Sequence, residues 1–173
     1  MAPAQGYPAK VGTGMNTFQT LYDAGAVRRY HTQFMLKDQD IAAHQWGVAM
    51  ICNRITGGAS VHLLLAALMH DLHESEAGDI PYGFKKGTIK EIYDSHEAEF
   101  LRRHGVDMAM LEDDERRILK YADMMECLMY CKREVKMGNI TVAPIVDTAT
   151  AALVFMGHPT KAARDLFYEV LNG

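Results

Sequence analysis

The chain has 173 residues, 49% hydrophobic and 23% charged, with a formal net charge of −4 and a pI near 6.0. That length holds one domain whose core needs no disulfide support, and the mild acidity excludes a general nucleic-acid binder, which carries a strong basic excess. Three Cys without regular spacing exclude a disulfide framework and point to a reducing cytoplasm.

No run reaches the roughly 18 uninterrupted apolar residues of a membrane-spanning helix, and MAPAQGYPAKVGTG lacks the apolar stretch of a signal peptide. Residues 1–15 read as a flexible N-terminal arm and 16–173 as the folded domain. From Asn16 onward the spacing is helical. Phe18, Leu21 and Tyr22 share a face, and Gly25 interrupts it before Arg28 and Arg29. Asp38 or Asp40 is expected to cap the next helix, on which Ile41, Val48, Cys52 and Ile55 line one side with His44 among them. Trp46 faces away from His44 and reads as core or interface. Gly57-Gly58 stops this helix.

Ser60 is expected to cap a third helix, the apolar run VHLLLAALMHD that carries His70 and Asp71. Gly78 to Gly83, GDIPYG, is a loop. Thr88 and Glu91 have capping-box spacing and are expected to open a fourth helix that Gly105 closes. A long fifth helix runs from near Met110 to Met137, with Asp113, Asp114 and Glu115 facing its dipole. Two shorter helical segments follow, split by Gly157, His158 and Pro159. β-branched residues never alternate over a sustained stretch, so the expected fold is an all-α, single-domain helical bundle.

The chemistry concentrates at His70 and Asp71, with His44 upstream and Asp123 downstream. Eight His and twelve Asp in 173 residues yield roughly half a His-Asp dipeptide by chance, so the doublet counts only in this combination. Two imidazoles and two carboxylates suit a divalent cation of the Mn, Fe, Co or Zn type. Such a set leaves open positions for water and substrate, an arrangement fit for hydrolytic attack on phosphorus. Glu74 stands three residues after Asp71 and suits general acid–base work near that water. Lys120 precedes Asp123 by three and is expected to aim a cation into the same cavity. His73 reads as a competing ligand or a supporting neighbour, and Cys127 and Cys131 as small buried hydrophobes.

Read together, Arg29, His44, His70-Asp71, Glu74, Gly78-Asp79-Ile80-Pro81 and Asp123 resemble the HD superfamily of metal-dependent phosphohydrolases. Within it the likeness is to bacterial 5′-deoxynucleotidases and to compact phage deoxyadenosine triphosphate triphosphohydrolases. Order and spacing both match over residues 16 to about 140, including an Arg fifteen positions before the first His. The resemblance implies an all-α fold of HD-domain type with His44, His70, Asp71 and Asp123 as ligands of a divalent metal ion (Co, Mn, Zn, Fe or Mg). It implies that Glu74 positions or deprotonates the attacking water, Arg29 holds a phosphate oxygen, Asp79 faces the sugar, and Lys85 and Lys120 contact phosphate. Where the family often carries Trp after the Arg, this chain has Tyr30, a ring that can still pack on a base. The implied substrate is a small 2′-deoxynucleotide cleaved on its 5′ phosphate side. A triphosphate releasing triphosphate is favoured; a monophosphate releasing inorganic phosphate is the alternative, and a non-catalytic nucleotide-binding module the remote one. A cytoplasmic homo-oligomer without nucleic-acid polymer or membrane partners completes the expectation.

Overall fold

Local chemistry sets the helix boundaries in this computed structural model, which describes residues 17–106 and 108–173. The expected arm over residues 1–15 lies outside them. In chain order the helices are α1 (Thr17–Ala24), α2 (Ile41–Thr56), α3 (Val61–Met69), α4 (Glu74–Ala77), α5 (Gly87–Arg103), α6 (Asp113–Lys136), α7 (Ala143–Met156) and α8 (Lys161–Asn172). Among the described residues no strand forms, and the only β-bridge joins Arg28 to Asp40.

Of the two Asp expected at the start of α2, Asp40 is the cap, accepting the Ala43 N–H at 2.8 Å. Ser60 caps α3 by accepting from Leu63 N–H at 3.1 Å, and Thr160 caps α8 in the same way. The Thr88–Glu91 capping box does not form. The chain turns at Gly87 with φ 53°, so α5 begins two residues early with Lys86 in place of Thr88 at the cap position, and Thr88 falls inside the first turn. The box forms instead at α6, between Glu112 and Glu115, after a 3-10 turn at Met108–Met110 that delays the helix start to Asp113. Glu115 thus does more than face the dipole, and it also accepts from the Ser60 hydroxyl at 2.5 Å, tying the starts of α3 and α6.

The apolar faces then determine the packing. Val48, Cys52 and Ile55 of α2 meet Leu63 and Ala67 of α3, Ala122, Met125 and Leu128 of α6, Leu153 of α7 and Phe167 of α8 in one buried cluster. Each larger side chain buried there contributes roughly 1.5–3 kcal/mol. A second cluster of Ala24, Ile41, Leu72, Phe100 and Leu101 binds α1 and α5 to the start of α2. His44 sits on α2 between Ile41 of this cluster and Val48 of the other, fully buried. Trp46 is 64% exposed, which removes it from the core, because two positions along a helix turn a side chain to the far face.

The segment joining α1 to α2 folds back on itself through Arg29 N–H to Gln39 C=O at 2.9 Å and Ile41 N–H to Val27 C=O at 2.9 Å. Buried Glu134 of α6 accepts from the backbone of Leu36 at 2.7 Å and Lys37 at 3.0 Å, and from Asn139 Nδ2 at 2.9 Å. These bonds hold the segment, and with it Arg29, over α6. Among the described residues, no helix is long and apolar enough to cross a membrane.

Candidate metal centre

Three elements bring the sequence-marked residues to one point. His44 comes from α2 and Asp123 from α6. His70 and Asp71 lie just past the end of α3, which stops at Met69, rather than within the helix as expected. His44 Nε2 is 3.3 Å from Asp71 Oδ2 and 3.3 Å from Asp123 Oδ1. His70 Nε2 is 3.5 Å from the same Asp71 oxygen and 4.0 Å from the same Asp123 oxygen. Ligand atoms of His44, His70 and Asp123 all lie within 4.8 Å of one another; Asp71 is outside that mutual group, although its Oδ2 approaches both rings.

The other ring nitrogens dictate what the Nε2 atoms can do. His70 Nδ1 is 3.0 Å from the Ala67 carbonyl, one of the last-turn acceptors that α3 leaves open. A carbonyl only accepts, so Nδ1 carries the proton, and in the neutral ring Nε2 keeps its lone pair. His44 Nδ1 faces Glu126 Oε2 at 2.6 Å with the same consequence. Both Nε2 atoms are buried and lack a hydrogen-bond partner. Such atoms are costly unless something compensates them. Imidazole nitrogens beside two carboxylates fit a divalent cation, with the far nitrogens oriented by hydrogen bonds as such ligands require.

The charges agree. Burial works against a charged His44, yet the neighbouring carboxylates of Asp123, Asp71 and Glu126 hold its pKa well above the usual histidine range. Burial likewise opposes an ionised Asp71, but His70, His44 and Arg29 keep it well below the usual carboxylate range. Asp123 is lowered against burial by His44 and His70. A proton and a metal cation therefore compete for the same place.

Beside this cluster opens a cavity of about 510 Å³. Its lining combines the charged side chains of Arg29, Asp71, Glu74, Asp79, Lys85 and Asp123 with Met124, Cys127, Ile145, Thr148, Ala149 and Ala152 of α6 and α7. Glu74 is 3% exposed, and its Oε1 accepts from the Tyr93 hydroxyl at 3.1 Å with Lys85 Nζ at 3.8 Å. Its Oε2 has no partner. Burial, then the negative charges of Asp71 and Asp79, push the Glu74 carboxyl up to about 8. Asp79 accepts the Tyr30 N–H at 2.8 Å, which is aimed by a left-handed backbone at Tyr30 with φ 55°. The Tyr30 ring stacks on Tyr130 at 5.2 Å between centroids, and its hydroxyl donates to Cys127 Sγ at 3.3 Å. One face of Tyr30 is thereby taken, although the residue still borders the cavity.

Lys120 departs from expectation. It is exposed and lines a separate cavity of about 150 Å³ with Arg117, Tyr121, Met156, Gly157 and Pro159. Three residues along a helix leave a net offset of roughly 60° around the axis, and on α6 that offset turns Lys120 to the surface while Asp123 borders the larger cavity. His73 is outside the ligand group: its Nδ1 donates to the His70 carbonyl at 3.0 Å, its ring meets Tyr93 edge-on, and burial lowers it to about 4. The basic doublets divide between inside and out. Arg29 and Lys85 border the cavity, whereas Arg28 pairs with Asp38 at the surface and Lys86 is exposed. Cys131 is buried as expected, but Cys127 is only half-buried and reaches the cavity. Sequence reasoning missed Glu126, Gln39 and Tyr93; the carboxylate within the largely apolar run MMECLMY was a signal for the first.

A helical bundle that gathers two His and two Asp at one point, with Arg29 and Glu74 at its edge, has the design of an HD-type phosphohydrolase. Solved structures share the fold. The Cyanophage S-2L HD phosphohydrolase DatZ, bound to dA and one catalytic Zn2+ ion, superposes with a TM-score of 0.68 over 89% of this chain and 94% of that one, at 19% identity. An HD-domain phosphohydrolase from Listeria innocua gives a TM-score of 0.71 over 90% of this chain and 86% of that one, at 21% identity. Among curated proteins, the dATP triphosphohydrolase of Cyanophage S-2L is 29% identical over 100 residues. That match covers 54% of this chain and 57% of the phage protein, little more than half the relative's length. The pattern of the 5′-deoxynucleotidase YfbR-like family matches residues 16–171. The chain belongs to that family.

Proposed function

We propose that the chain is a metal-dependent phosphohydrolase that splits the bond between the 5′ oxygen of a 2′-deoxynucleoside and phosphorus. The observation that carries this reading is the pair of buried, unpartnered Nε2 atoms of His44 and His70 set against the carboxylates of Asp71 and Asp123. These four residues would hold the ion. A divalent cation bound there supplies Lewis acidity toward a phosphoryl oxygen and acidifies water.

The chain's own groups do the rest. Glu74, whose carboxyl lies at about 8 without the metal and would be drawn lower by a cation held at Asp71, takes the proton of the attacking water at its unpartnered Oε2. The Tyr93 hydroxyl holds the opposite oxygen and so sets which one faces the cavity. Arg29 and Lys85 border the cavity as cations for the phosphate oxygens. Asp79, held by the Tyr30 N–H, presents its remaining acceptor capacity to the sugar hydroxyl. The apolar wall of Met124, Ile145 and Ala149 gives the base a surface to pack on.

Two phosphate lengths fit this chemistry, and both break the same P–O5′ bond and release the deoxynucleoside. A triphosphate is favoured by the likeness to the phage dATP triphosphohydrolase. A monophosphate is supported by the family's description and by the placement of Lys120 outside the cavity, which leaves Arg29 and Lys85 as its lining cations. The purified chain should be assayed with dAMP, dATP and their ribose counterparts under Mn, Co and Zn, following both products. Deoxynucleoside with triphosphate supports the first reading, and deoxynucleoside with inorganic phosphate the second. Binding without turnover under every cation would leave a nucleotide-binding module and overturn the hydrolase.

A further inference from the structure

Glu126 follows Asp123 by three residues on α6, yet it turns inward beneath α2 and is only 8% exposed. One carboxylate serves three partners. Oε2 accepts from His44 Nδ1 at 2.6 Å and faces Arg29 Nη1 at 3.4 Å, while Oε1 accepts from Gln39 Nε2 at 2.6 Å. Helix α2 makes room for it with Gly47, where a Cβ atom would come within 2.9 Å of Glu126 Cγ. Removing α2's side chain at that point lets the helix come close enough for the short bond to His44, one turn earlier.

A carboxylate behind a metal-binding histidine fixes the ring's orientation, keeps its proton on the far nitrogen and raises its basicity toward the ion. The same Glu126 oxygen touches Arg29, a cation that borders the cavity. We infer that Glu126 is a positioning residue that joins the metal centre to the phosphate-binding arginine, and that Gly47 provides the space it needs. The inference rests on the metal centre proposed above. It assigns Glu126 no contact with substrate. Its effects pass through His44 and Arg29.

The test measures cobalt(II) affinity of the full chain by chelator competition, with nucleotide KM as a second readout. Glu126→Leu removes acceptor and charge, Glu126→Gln keeps an acceptor without the charge, and Gly47→Ala displaces the carboxylate without deleting it. Glu126→Leu should weaken cobalt binding by about 10- to 100-fold, the range found for such supporting partners. Glu126→Gln and Gly47→Ala should weaken it by less but in the same direction, and KM should rise with the loss. A purely structural role would lower the unfolding temperature of the metal-free protein while leaving cobalt affinity unchanged. Unchanged cobalt affinity in the folded variants overturns the inference, and if the Leu variant does not fold, the Gln and Ala variants decide it alone. Wild-type protein that takes up no cobalt would instead refute the metal centre itself.

Discussion

Replacing Glu74 by Gln separates proton transfer from metal binding. The amide has nearly the same shape, so it fits the 3% exposed slot and keeps an oxygen for the Tyr93 hydroxyl, which donates to Oε1 at 3.1 Å. What disappears is the basic oxygen at Oε2, the atom left without a partner. A well-placed general base contributes about 10²- to 10⁴-fold. At about 1.36 kcal/mol per decade that is a barrier increase of roughly 3–5 kcal/mol. The Nε2 atoms of His44 and His70 approach Asp71 and Asp123, whereas Glu74 is paired with Tyr93 and Lys85, so bound metal should stay at the wild-type level. Steady-state kcat with dAMP and dATP, set beside metal content by elemental analysis, measures both quantities. A kcat within about threefold of wild type would remove Glu74 from proton transfer. Loss of the metal would instead make it a ligand.

Further outcomes follow from the charge layout. Lys85→Ala should raise KM for nucleotides, because Lys85 borders the main cavity, whereas Lys120→Ala should leave kcat and KM near wild type, because Lys120 lines the smaller cavity. The reverse pattern in steady-state kinetics would return Lys120 to the phosphate site. Metal-free protein should lose stability as pH rises from about 4.5 to about 8 through Glu74, with His44 adding to the fall above 6.5. Folded Glu74 keeps its proton up to about 8 against an ordinary 4.5, and His44 is likewise raised above its ordinary 6.5, so both contributions are present at low pH and vanish through the folded values. At about 1.36 kcal/mol per unit the Glu74 part is at most about 5 kcal/mol. Asp71 and Asp123, held low, act only in acid and do not oppose this trend. Thermal unfolding with a chelator present checks the slope; a flat or rising profile refutes it, and saturating metal should flatten it by taking the proton's place.

Much of this molecule was readable from its amino acids alone. Apolar spacing placed Ile41, Val48, Cys52 and Ile55 on one buried face of α2 and put His44 among them, because helical periodicity is a local property that survives any tertiary arrangement. Caps at Asp40 and Ser60 and stops at Gly57 and Gly105 were equally local. The identity and order of His44, His70, Asp71 and Asp123 implied one ion before any distance was known.

Other features depended on which faces α2, α6 and α7 turn toward one another. Lys120 and Glu126 each stand three residues from Asp123, and only the first was read from the sequence as its neighbour. Packing sent the first to the surface and drew the second under His44, through the gap left at Gly47. Residue type alone does not separate Arg28 from Arg29 or Lys85 from Lys86; the resemblance singled out Arg29 and Lys85, and the backbone path, pinned for the first doublet by Glu134 and the Arg28–Asp40 bridge, is what turns one member inward. Residue types supplied the chemistry that could occur, and only the close approach of distant helices decided which charged groups lost water and gained one another, because desolvation and short-range hydrogen bonding are properties of contact rather than of order along the chain.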